Sequence, residues 1–163
     1  MQIRDRIKEL RRVEARTLRP NPDNWRTHPD RQRDAMKGIL AEIGFADALL
    51  ARELDDGTLE LIDGHLRAET TPDQQVPVLV LDLSKDEADK LLAVFDPLAA
   101  MAETNREALQ HLLENVETES SALQTMLDVI VAEQPHGINA LQNRIPEGID
   151  IPELYQVVVQ CGD

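Results

Sequence analysis

Cysteine, aromatic residues and long apolar runs are what this 163-residue chain has least of. Its single cysteine, Cys161, excludes an internal disulfide and a thiolate metal cluster. One Trp, one Tyr and two Phe leave a core that must be built from Leu, Ile, Val and Ala. No apolar run approaches the length of a membrane span, and charges stand where a signal peptide would have its apolar stretch, so a cytoplasmic protein without membrane contact is the expectation. Several motifs are missing too. There is no Gly-x-x-x-x-Gly-Lys, no Gly-x-Gly-x-x-Gly and no Gly-x-Ser-x-Gly.

Basic charge is scarce after the first 33 residues. Those carry ten Lys or Arg against five Asp or Glu, whereas the remaining 130 carry seven against twenty-six, for a net charge of −14. An acidic body repels nucleic acid at long range. The basic arm (Arg4, Arg6, Lys8, Arg11, Arg12, Arg16, Arg19) could still touch DNA phosphates, but the simpler reading pairs it with the protein's own carboxylates.

What is present reads as an α/β chain with a small mixed sheet. Ile3, Ile7 and Leu10 are spaced for a helix over 3–10, with a short strand over 13–18. The breaker cluster 20–24 must be a loop. Met36, Ile39, Leu40 and Ile43 predict a helix over 30–43, closed by Gly44. Asp55-Asp56-Gly57 joins strands 48–54 and 58–62 as a hairpin. A short helix over 64–70 follows, then a buried strand over 76–81. Ser84 with Glu87 opens a helix that Pro97 should break. Helices over 105–116 and 119–133 read as an antiparallel pair. The expected division is 1–100 for the α/β domain, 101–136 for the helical pair, and 137–163 for a linker and the strand-like 155–159, which would begin a truncated module.

The chemistry concentrates in Leu61-Ile62-Asp63-Gly64-His65-Leu66-Arg67. A strand running into a tight turn and then a helix exposes backbone N–H groups that favour phosphate. Gly64 would let the backbone approach a ligand, and Arg67 offers a planar fork of donors. His65 can donate or accept near neutral pH. Asp63 is either a candidate base or the cap of the helix. In the loop 21–28, Arg26 and His28 are candidate pocket residues, Asn21 and Asn24 should make side-chain turns, and Trp25 should bury to anchor the loop. Glu42, Asp47 and Glu69 are weaker candidates for acid–base or Mg²⁺ roles. His111 and His136 lack partners at metal-ligand spacing, so no protein metal site is expected.

In order, Leu18-Arg19-Pro20-Asn21-Pro22, Asn24-Trp25-Arg26-Thr27-His28, Gly44-Phe45, Ile62-Asp63-Gly64-His65-Leu66-Arg67-Ala68, Val76-Pro77-Val78 and Asp82-Leu83-Ser84 resemble the ParB/sulfiredoxin superfamily over about residues 11–96. The resemblance is to ParB-like N-terminal domains of phage and mobile-element type. It implies nucleotide or phosphate binding at Gly64, His65, Arg67, Arg26 and His28, with Mg²⁺ accompanying a triphosphate such as CTP or ATP. Partition ParB proteins carry Gly-Glu-Arg-Arg at the phosphate motif, of which only Gly64 and one arginine transfer. Their later Glu-Asn-x-Gln-Arg is missing near Phe95-Asp96-Pro97. Sulfiredoxin's Gly-Cys-His-Arg lacks its cysteine here, whereas the Asp-Gly-His-His-Arg of a free-serine kinase is similar to 63–67. The implied role is a nucleotide- or phosphate-binding domain in DNA metabolism. The alternatives are a nucleotide-dependent enzyme using His65 and Asp63 (phosphohydrolase, kinase or nuclease) and an interaction scaffold dimerising through 105–133.

Overall fold

The computed structural model describes residues 2–132; the expected linker, the 155–159 segment, His136 and Cys161 lie outside the described residues. Four strands form one mixed sheet in the order β1-β4-β2-β3. Strand β1 (Ile7–Glu14) runs antiparallel to β4 (Gln75–Leu81), which is parallel to β2 (Leu49–Glu53). Strand β2 forms the expected hairpin with β3 (Leu59–Asp63). The two faces follow the period-2 alternation of strands. Leu49, Ala51, Leu59, Leu61, Val76, Val78 and Val80 form one buried cluster, completed by Ala15 and Leu18 and by Ala68 of helix α2 (His65–Thr70). On the other face Ile62, Leu79 and Leu81 meet Ala88, Leu91 and Leu92 of helix α3 (Lys85–Ala100). Covered on both faces, the inner strand β4 can be apolar throughout, which is why 76–81 shows no alternation.

Three expectations need correction. Residues 7–10 belong to strand β1, and the expected strand after Val13 gives way to a 3₁₀ turn, Ala15–Thr17. The helix-like spacing of Ile3, Ile7 and Leu10 marks no buried face, since all three are more than half exposed. Pairing with β4, including Val13 opposite Val76, overrides the local preference. Helix α3 continues through Pro97 to Ala100. Proline removes the bond to the Ala93 carbonyl, but Ala93 is exposed and water can take its place. Finally, α5 (Ser121–Ala132) packs chiefly on α1 (Asp30–Glu42) and only lightly on α4 (Arg106–Leu113).

A glycine and a carboxylate explain that docking. A Cβ on Gly38 of α1 would lie 2.2 Å from Ser120 Oγ and 2.8 Å from Ser120 Cβ, so α5 starts where α1 has no side chain. Beside it, one oxygen of Glu42 accepts from the Thr118 hydroxyl (2.5 Å) and from the Glu119 and Ser120 N–H groups (2.9 and 3.0 Å). These bonds, the Thr118 hydroxyl first, hold the Glu42 carboxyl below its ordinary pKa. Leu123, one turn on, is buried.

Much of the basic arm is paired internally. Arg6 forms a bidentate bridge to Glu87, Lys8 and Arg11 reach Glu53, and Arg16 reaches Glu14. Arg6 and the Ser84 N–H pull Glu87 down to about 2. Among the described residues, no helix is long and apolar enough to cross a membrane.

Candidate functional site

Strand β3 ends at Asp63, and Gly64 turns the chain into α2 with φ at +93°. Any other residue would be strained there. A Cβ on Gly64 would also lie 2.6 Å from Leu49 Cγ in the core. The missing side chain therefore makes room for the sheet, and the approach it permits is to Leu49. Asp63 does not cap α2, whose N-cap, Gly64, has no side-chain bond. Its carboxylate instead accepts from Arg67 Nη2 at 2.8 Å, one helical turn on. The other terminal nitrogen of Arg67 bonds Asp47, in the loop before β2. The Arg67 side chain is only 15% exposed, against 76% for Asp47 and 35% for Asp63. Bonding to Arg67 holds the Asp47 carboxyl below its ordinary range.

His65 is buried, and its Nε2 accepts the Asn21 backbone N–H at 3.2 Å. An accepting Nε2 puts the proton of the neutral ring on Nδ1. Burial pushes the His65 pKa down, only partly opposed by Asp63 and Glu69. The histidine thus fastens the loop 20–29 to α2. The asparagines shape that loop as expected: Asn21 Oδ1 accepts from Asp23 N–H (2.9 Å) and Asn24 Oδ1 from Arg26 N–H (3.2 Å). Asn21, 5% exposed, is the anchor. Trp25 is not, contrary to expectation, because it is 56% exposed with the Arg26 guanidinium 4.6 Å from its ring centroid. The loop closes onto α3 through Arg26 to Asp96 (2.6 Å) and Lys85 to Asp23 (3.0 Å). His28 Nδ1 lies 3.1 Å from Gln32 Oε1.

Together these elements line an open cavity of about 450 Å³ to which Arg26, His28, Asp63, Gly64, His65 and Arg67 all contribute. These six, the catalytic and phosphate-binding candidates of the sequence, all line it, whereas Asn21 and Trp25 of the loop do not. Its size suits a small-molecule ligand. The sequence reading missed the apolar side, formed by Met36, Ile39 and Leu40 of α1 and Leu92 and Phe95 of α3. Periodicity had marked most of these as helix faces, and only the fold shows that α1 and α3 turn them toward one space. Asp47 lines the cavity, whereas Glu42 binds the segment 118–120 ahead of α5 and Glu69 pairs with Arg33 (3.0 Å). Among the described residues, no group of three or more His, Cys, Asp or Glu could hold a metal ion.

No protein-family model and no curated protein matches the chain. Solved structures do. C-terminally truncated ParB from Caulobacter crescentus, complexed with CTP-γ-S, is similar with a TM-score of 0.56 and 19% identity, over 76% of this chain and 79% of that one. A Pnob8-like ParB-N domain is 20% identical over 66% of this chain and 47% of its own, with a TM-score of 0.43. The Caulobacter protein complexed to the centromeric parS site is 16% identical over 72% and 64%, at 0.44. The fold is ParB-like.

Proposed function

We propose that this chain is a nucleotide-binding module whose site is the cavity between the loop 20–29, the Asp63–Arg67 turn and helices α1 and α3. One observation carries the reading: the five residues chosen from sequence for phosphate binding, Arg26, His28, Gly64, His65 and Arg67, converge on one ligand-sized cavity together with Asp63, the candidate base. The fold is shared with a ParB that is complexed with a CTP analogue, which supports a nucleotide as occupant. The Arg67 guanidinium holds phosphate, Arg26 and His28 close the pocket from the loop, and the apolar side receives the sugar and base. Mg²⁺ enters with the phosphates of CTP or ATP and offsets their charge.

Binding without turnover is the form of this proposal that the geometry favours. Asp63 is engaged by Arg67, and His65 Nε2 already accepts from Asn21, so neither stands free as a base. A phosphohydrolase, kinase or nuclease would have to release one of them. The proposal extends to a setting in phage or mobile-element DNA metabolism, on the order of the ParB-like segments. Contact with DNA would fall to the basic arm, and association with a second copy to α4 and α5.

Trp25 is the chain's only tryptophan and lies against Arg26, a lining residue, so its fluorescence reports on the surroundings of Arg26. Titration with CTP, ATP and GTP should give a saturable change for one nucleotide. Arg26→Ala, at a side chain 40% exposed, should weaken it without unfolding the protein. A folded wild type that responds to none of them contradicts the proposal.

A further inference from the structure

Both guanidiniums facing the cavity are engaged by carboxylates of the same chain. Arg26 is held by Asp96, and Arg67 by Asp63 and Asp47. Among the described residues, the lining sets two arginines, Arg26 and Arg67, against three aspartates, Asp47, Asp63 and Asp96. An arriving phosphate therefore meets a wall with more carboxylates than guanidiniums. To take the Nη1 position that Asp47 holds on Arg67, it must displace that carboxylate.

The two partners of Arg67 are not equivalent. Asp63 is fixed at the end of β3, four residues before Arg67 and only about one-third exposed. Asp47 sits in the loop between α1 and β2, with a side chain 76% exposed; its other bond is to the N–H of the next residue, Ala48, at 2.7 Å. Asp47 can swing into water at little cost, while the largely buried Arg67 stays in place.

We propose that Asp47 is an internal stand-in for the ligand's phosphate, occupying one terminal nitrogen of Arg67 until a phosphate oxygen displaces it. This deepens the phosphate-binding reading above and rests on it. Exchange selects for charge density: a ligand carboxylate gains nothing over the carboxylate it replaces, whereas a di- or triphosphate brings more negative charge to the same fork. Asp47 thereby sets the class of ligand admitted, a multiply charged phosphate, and keeps Arg67 ordered when the cavity holds none.

Calorimetry with inorganic pyrophosphate and with Mg²⁺–CTP, on wild type, Asp47→Ala and Asp47→Asn, tests this. Asp47 is exposed on a loop, and circular dichroism of each variant checks its fold. Both variants should bind at least one probe about threefold tighter than wild type, or bind where wild type is undetectable. If wild type binds and the variants bind equally or more weakly, Asp47 is no competitor, and the proposal falls while the nucleotide reading stands. If neither wild type nor variants bind either probe, both fall.

Discussion

His65 and Gly64 show how two residues chosen as ligand contacts serve the frame of the site. The His65 ring accepts from Asn21 and is held neutral by burial, so protonation must break the fastening of the loop 20–29. Its pKa is lower folded than unfolded, where a histidine titrates near about 6.5. The unfolded chain thus takes up the proton first, and stability is lost as pH falls below that value. Thermal melts between pH 7.5 and 5 should show this loss for wild type and a flatter profile for His65→Gln, which carries no titrating ring. Gly64→Ala meets both an unfavourable φ and the Leu49 side chain. Its cost should be about 2–4 kcal/mol in chemical denaturation, the sum of backbone strain and overpacking. A neutral result would mean that the turn relaxes.

Among elements, the hairpin, α2, β4 and the start of α3 were legible because each announces itself locally. Asp-Gly marks a turn, Ser84 with Glu87 forms a capping box, and 76–81 is uniformly apolar. Strand β1 was not legible, since its order comes from pairing with a strand some 65 residues away and its outer face is mostly charged and exposed. Nor was the seat of α5. Gly38 reads as a weak point in a helix, and only the fold shows Ser120 resting on it. Gly→Ala inside a helix normally stabilises by about 1 kcal/mol. Here Gly38→Ala should lose that gain and raise amide hydrogen exchange along α5, and Gly38→Ala with Ser120→Gly should recover much of it. Unchanged exchange in the single variant would show that α5 is not seated on Gly38. The candidate site was legible as a set of residues and not as a cavity, because its apolar walls come from helices whose facing is a tertiary property.

For the molecule as a whole, α3 and α5 leave several large apolar side chains exposed. Phe95, Leu98 and Met101 near the end of α3, and Met126, Val129 and Val131 of α5, are each at least 42% exposed. Exposed apolar residues in such number suit a surface that meets another protein. If that partner is a second copy, sedimentation velocity should show a concentration-dependent dimer that Val129→Glu with Met126→Glu converts to monomer. A wild type that stays monomeric at high concentration would leave α4 and α5 without this role. Nucleotide binding remains the central claim, and it is tested most directly by isothermal titration calorimetry of CTP, ATP and GTP, each with Mg²⁺, against wild type and Arg67→Ala. The account predicts saturable binding of one nucleotide by wild type, weakened at least tenfold, about 1.4 kcal/mol, in a variant that is still folded. Equal binding by both proteins, or none by a folded wild type, would contradict it.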